Sequence, residues 1–221
     1  MFRLLVAIAA SIFLISPATA MTLVWTDWTS ADAVSASGTM GGTSVTFSGN
    51  INPAAQTNGG INYWAVNSGI YTPSGAENPP PDADIVRLTG GTGTGIQTLS
   101  FGTAVTNPYM AILSLGQPGV ATSYVFDSAF NIVNQGAGYW GGSATALTKS
   151  GNTLIGSEGH GLIQFIGTFS SISWTIPTAE NWHGFQVATA SVSAVPIPAS
   201  GLLLLAGVGG FGLLRRKKNA A

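Results

Sequence analysis

Few side chains of this 221-residue chain could do chemistry: two histidines, eight acids and no cysteine. The missing thiol excludes thiol catalysis and thiolate metal sites. Ser157, Glu158 and His160 are near neighbours, which raises a serine nucleophile with a histidine base. No Gly-x-Ser-x-Gly elbow surrounds them. Gly159-His160-Gly161 reads as a flexible turn and Trp182-His183-Gly184 as the start of a strand, and neither histidine has a second at metal-ligand spacing. Glu158 and Glu180 could be the two carboxylates that a glycosidase sets across one bond, although nothing in the sequence constrains their separation. Asp82 and Asp84 follow three prolines, and carboxylates two apart in a loop can chelate calcium. Calcium wants six or more oxygens; no EF-hand or similar repeat supplies them, so solvated loop acids are the plainer reading. No other cofactor or metal is implied. The run Gly90-Gly91-Thr92-Gly93-Thr94-Gly95 lacks the Lys-Ser/Thr of a phosphate loop and precedes a strand, so it reads as a glycine-rich hairpin connection.

The aromatics suggest recognition rather than reaction. Tyr63 and Trp64, Tyr139 and Trp140, and Trp182 each sit beside Gly, Asn or Ser. Exposed Tyr and Trp stack on sugar rings because both surfaces are flat and partly apolar. Adjacent residues of a strand point to opposite faces, so one of each pair could equally be core. Trp25, Trp28 and Trp174 are assigned to the core.

The elements that must position these residues read as strands. Alternation of small polar with apolar residues marks 43–48, 96–101 and 171–176. Further strands are expected over 22–28, 61–66, 84–89, 123–127, 131–134, 152–155, 162–166 and 185–190, with 123–127 and 131–134 forming a hairpin. The stretch 109–115 is almost continuously apolar, as in a central strand covered on both faces. A long loop over 71–83 carries four prolines. About ten short strands and no amphipathic helical period predict an all-β fold, an antiparallel β-sandwich of jelly-roll type, with a single barrel as the alternative. No fixed repeat points to a propeller or solenoid.

Charge is distributed unevenly. Of seven basic residues, five lie at the ends of the chain: Arg3, Arg215, Arg216, Lys217 and Lys218. Residues 21–194 keep Arg87 and Lys149 against eight acids, a net charge of −6. That balance lacks the cationic footprint of a nucleic-acid binder.

The two ends read as sorting elements. Arg3, the apolar stretch 4–15 and Ala18-Thr19-Ala20 predict a secretory signal peptide over 1–20, cleaved after Ala20. The remaining 174 residues, 21–194, suit one domain. At the other end Val195-Pro196-Ile197-Pro198-Ala199 precedes an uncharged Leu/Gly-rich run, 201–214, and the four cations Arg215, Arg216, Lys217 and Lys218. Counted from Ile197, a helix of 18 residues would span about 27 Å, just short of a ~30 Å hydrocarbon core. The cations would hold its end on the cytoplasmic side. Pro196 and Pro198 would keep an extended peptide accessible at the outer edge.

This tail resembles the VPLPA-type variant of the PEP-CTERM bacterial sorting signals. Ile197 stands where that variant usually has Leu, and there is no Pro-Glu-Pro. The resemblance implies a Gram-negative exporter and recognition by an exosortase-type membrane protease. It also implies transient anchoring in the inner membrane, then release or attachment at the cell surface, often within an extracellular polysaccharide matrix. An ordinary carboxyl-terminal membrane anchor is the alternative. Residues 165–188 also look like stretches of other exported proteins with such a tail. The expectation is a non-enzymatic exported structural protein, with a carbohydrate-binding module as the alternative and a secreted hydrolase as a more remote one.

Overall fold

A computed structural model describes residues 19–51, 55–76 and 78–194. The sorting motif Val195, Pro196, Ile197, Pro198 and Ala199, the expected membrane span 201–214 and Arg215, Arg216, Lys217 and Lys218 lie outside the described residues, as does 1–18 of the expected signal peptide. Residues Met21–Val192 form one compact unit.

Fourteen strands make up the described fold: β1 (Thr19–Trp25), β2 (Asp27–Ala31), β3 (Ser35–Met40), β4 (Thr43–Ser48), β5 (Val86–Leu88), β6 (Ile96–Thr106), β7 (Tyr109–Leu115), β8 (Thr122–Phe126), β9 (Phe130–Gln135), β10 (Leu147–Ser150), β11 (Thr153–Gly156), β12 (Gly159–Phe165), β13 (Thr168–Thr175) and β14 (His183–Ala194). The only helical segments among the described residues are two 3-10 turns, Ser68–Tyr71 and Thr92–Thr94. One sheet has the order β1-β14-β7-β12-β9, with β5 also on β14. The other runs β10-β11-β8-β13-β6-β4-β3-β2. The pairings among β2 to β14 are antiparallel.

The alternating strands bury one face each. In β4, Val45 and Phe47 are buried while the intervening Ser and Thr face outward; β13 does the same with Ile172 and Trp174. These meet Met110, Ile112, Ile163, Phe165, Phe185 and Val187 of the opposite sheet in one core. Ring pairs bridge the sheets: Trp174 on Phe185 at 5.5 Å, and Phe126 on Phe165 at 5.0 Å, both edge-on. Such pairs add about 0.5–1.5 kcal/mol beyond the area they bury. β7 is buried at every position, because a second apolar cluster covers the outer face of its sheet. Tyr63, Trp64, Ile70, Tyr71 and Ile85 pack there on Ala111, Leu113 and Leu162. Trp28 and Trp174 are core, whereas Trp25 is only partly buried and donates its indole N–H to Asn78 O at 2.9 Å.

Three expectations about connections are corrected. Residues 61–66 form a turn-rich loop, not a strand. Tyr63 and Trp64 are both buried while Ile61 and Val66 are exposed, so the period of two is absent. The expected hairpin over 123–134 is split between the sheets: β8 pairs with β11 and β13, and β9 pairs with β12. Asp127 turns the chain across by bonding both backbone groups of Ser173 with its amide and carboxylate. The glycine run 90–95 likewise carries the chain from β5 in one sheet to β6 in the other, rather than turning a hairpin.

Candidate functional site

Loops at one end of the sheets enclose a cleft of about 490 Å³, lined by Ser114, Gln117, Trp140, Glu158, Glu180 and Trp182 among others. Glu158 ends the turn before β12 and Glu180 lies in the loop before β14. β7, which carries Ser114, pairs with both of these strands.

The β7–β12 pairing has a bulge at this point: Leu115 faces Gly159, but Ile112 faces Gly161. Bulges re-aim side chains. Here Ser114 and Glu158 both have left-handed backbone, with φ of 56° and 57°. The other two non-glycine residues with positive φ among those described are Asn67 and Asn107, a residue type that tolerates it. Ser114 and Glu158 do not belong to that tolerant class, so this conformation costs each on the order of 1–3 kcal/mol and must be held by its surroundings.

What holds them is a buried chain of hydrogen bonds. Ser114 Oγ donates to Glu158 Oε1 at 2.5 Å. His160 Nε2 lies 3.2 Å from the same oxygen. His160 Nδ1 accepts the Ser114 amide at 3.2 Å and lies 3.2 Å from the Tyr71 hydroxyl. An acceptor at Nδ1 places the proton of a neutral imidazole on Nε2, directed at Glu158. His160 is fully buried within β12, so the turn expected at 159–161 is instead the start of a central strand. Burial pushes the Tyr71 phenol well above its ordinary pKa, which keeps it a neutral hydroxyl.

The second carboxylate is built differently. Glu180 Oε2 accepts the Gly116 amide at 2.9 Å and lies 2.9 Å from His183 Nδ1. That contact has ion-pair distance but not hydrogen-bond alignment, and neither ring nitrogen of the fully buried His183 has a hydrogen-bond partner. Burial, and next the Glu180 charge, raise the pKa of Tyr124 well above normal. The Tyr124 ring lies 5.3 Å from that of His183. The loop carrying Glu180 is braced by the glycine run: Gly90 N–H donates to Glu180 O at 2.8 Å, and a Cβ at Gly90 would fall 2.1 Å from Thr178 O.

Four of the five aromatics singled out in the sequence come together at the cleft. Tyr63 stacks on Trp140 at 5.2 Å and 28°, and meets Tyr139 and Trp182 at 5.1 Å each. Trp140 meets Trp182 at 4.6 Å. Trp140 and Tyr139 are 46% and 39% exposed, Trp182 is half-buried, and Tyr63 is buried beneath them. Trp64 is not part of this surface. It is 1% exposed, packs edge-on against Tyr71 and gives its indole N–H to Asp84 O at 3.2 Å. The loop bearing Tyr139 and Trp140 can lie against the polar chain because Gly138 and Gly142 have no side chains; a Cβ at Gly138 would sit 2.4 Å from the His160 ring.

The remaining sequence candidates lie apart from these groups. Ser157 is exposed and bonds Gln117 O at 3.4 Å, so it joins no triad. Asp82 is exposed, while Asp84 is 4% exposed with one carboxylate oxygen unpartnered. Burial, and next the charge of Asp27, raise the Asp84 pKa to about 6, against the pull of the Trp28 amide. No group of three or more His, Cys, Asp or Glu poised to hold a metal occurs among the described residues. Sequence reasoning missed Ser114 and Tyr71; the available signal for Ser114 was a lone serine inside the apolar run 109–115. Comparison with protein-family models, curated proteins and solved structures gives no match for this chain.

Proposed function

We propose that this chain is an exported cell-surface or matrix protein whose sandwich binds polysaccharide at the aromatic cleft. The observation that carries the reading is the convergence of Tyr63, Tyr139, Trp140 and Trp182 beside a cleft with two carboxylates. A concave site with an apolar wall and a few fixed polar groups suits a sugar, whose ring faces are apolar and whose rim is hydroxyl. Trp140 offers the stacking surface, Tyr139 and Trp182 flank it, and Tyr63 supports them from below. The export half of the reading rests on the two ends of the sequence. In it, the signal peptide directs secretion, the tail anchors the protein in the inner membrane, and an exosortase-type protease processes it near 195–199.

We also read the sandwich as a jelly roll. Taking β5, β6, β7, β8, β11, β12, β13 and β14 as strands one to eight, one sheet has the order one-eight-three-six and the other two-seven-four-five. That order supports two Greek keys wound together, with β1–β4, β9 and β10 as additions at the edges.

Titrating the protein with its host's exopolysaccharide should quench tryptophan fluorescence, and Trp140→Ala should abolish the response. No quenching would sink the binding reading. Intact mass from each cell fraction tests the sorting reading separately; a mature protein still ending at Ala221 would count against processing. The contact of Ser114 with Glu158 favours one second reading, a hydrolase. His160 speaks against a serine mechanism, since its Nδ1 accepts a backbone amide and its Nε2 faces Glu158, leaving no lone pair for the serine proton. Incubation with the same polysaccharide should release no new reducing ends.

A further inference from the structure

We infer that the cleft selects sugars carrying free amines, such as a de-N-acetylated aminoglycan, over neutral or acidic ones. The inference rests on the carbohydrate-binding reading and adds the charge class of its ligand. Glu158 and Glu180 line the same cleft as Trp140 and Trp182, and no Lys or Arg is among the lining residues. The side chains that touch Glu158 are Ser114 and His160. Its only histidine neighbour, His160, must be neutral, because Nδ1 accepts the amide of Ser114 and cannot also carry a proton. Its other partner, Ser114 Oγ, is an uncharged hydroxyl. Glu180 receives one backbone amide, and the fully buried His183 beside it has both ring nitrogens without a hydrogen bond.

The cleft therefore presents partly buried carboxylate to a ligand in a wall of low polarity, where a charge-assisted hydrogen bond is strongest. An ammonium substituent would meet carboxylate at its edge while its sugar ring lies on Trp140. An acetamide offers no positive charge, and a uronate would be repelled by the site and by the domain's net charge of −6. A quaternary ammonium held inside an aromatic cage is a poorer fit. The rings are already in contact with one another at centroid distances of 4.6–5.2 Å, which leaves no space between them for a cation.

The test uses the full-length chain, with hexamers of β-1,4-linked glucosamine, of its N-acetylated counterpart and of galacturonate, read by tryptophan fluorescence and calorimetry. The glucosamine hexamer should bind at least about tenfold tighter than the N-acetylated one at low salt, with the ratio shrinking as salt screens the charges. Glu158→Gln and Glu180→Gln should each bring that ratio towards one, by weakening the glucosamine hexamer more than the N-acetylated one. Trp140→Ala should weaken both hexamers together. Should Glu158→Gln lose its fold along with the Ser114 bond, Glu180→Gln still decides the matter. Equal affinity for amine and acetamide, or preference for the uronate, overturns the inference and leaves sugar binding intact. Binding of no saccharide at all overturns both.

Discussion

Two glutamates face the same cleft, each with a fully buried histidine behind it, yet the two pairs are built to different standards. Around Glu158 the buried polar chain is closed: the serine hydroxyl, both nitrogens of His160, the Ser114 amide and the Tyr71 hydroxyl all have partners. Around Glu180 it is open. Among the described residues, four of the six buried side-chain atoms without a hydrogen-bond partner belong to Tyr124 and to the two rings it touches, Trp174 and His183. The difference separates two uses of one residue pair. Glu158 is fixed by a network that offsets the backbone strain at both of its ends, whereas Glu180 is fixed by backbone amides of two other loops, Gly90 on its carbonyl and Gly116 on its carboxylate.

The comparison is broken most directly at His160. Replacing it with Ala removes the partner of a buried carboxylate and of the Ser114 amide together, and orphaned buried groups cost their full desolvation. His160→Ala should cost about 2–4 kcal/mol in urea unfolding, from an orphaned buried amide together with a lost hydrogen bond to a carboxylate. It should also lower Ser114→Ala's own effect, because both act through Glu158. A loss below ~1 kcal/mol would show that the chain holds nothing in place.

Much of this was legible in the sequence, and the part that was not has definite causes. The alternating strands β4, β6 and β13 were plain because one face of each is solvated and the other meets core. β3 was missed because four of its six residues are Ser, Ala or Gly, and the Gly41-Gly42 turn that pairs it with β4 has the positive φ values, 57° and 84°, of a tight hairpin. His160 was misread because flanking glycines signal a turn locally. Here Gly159 makes room for the Leu147 side chain and Gly161 lets β12 lie close to β9 at Asn134 and Gln135, which only the pairing of distant strands reveals. The gathering of Glu158 with Glu180 is likewise a consequence of sheet order. The aromatics came closest to being readable, since four of the five named residues do meet; Trp64 departs because its loop lies flat on the sheet and buries two successive rings.

Asp84 sharpens the comparison as a buried acid with no histidine behind it. Its folded pKa of about 6 lies above the ordinary 3.8, so the folded state holds the proton more firmly than the unfolded chain does. Its contribution to stability is therefore full below about pH 4 and is lost as pH rises through 6. Asp84→Asn abolishes that loss. With solvent screening allowed for, it should raise Tm by about 2–4 °C above pH 6 and by nothing at pH 4. A gain independent of pH would mean that the carboxylate is not the cause.

The smallest effect is expected where the open pair is closed by removal. His183→Phe keeps the ring that packs on Tyr124 and deletes two nitrogens with no hydrogen-bond partner. Taking away unsatisfied polar atoms is close to neutral, because the desolvation they suffer on folding disappears with them. Urea unfolding should move by less than about 1 kcal/mol in either direction, against the several lost at His160. Were the two losses equal, the 2.9 Å approach of His183 to Glu180 would be a true ion pair. Glu180 would then carry a neutralised charge into the cleft, and selection of cationic sugars would fall to Glu158 alone.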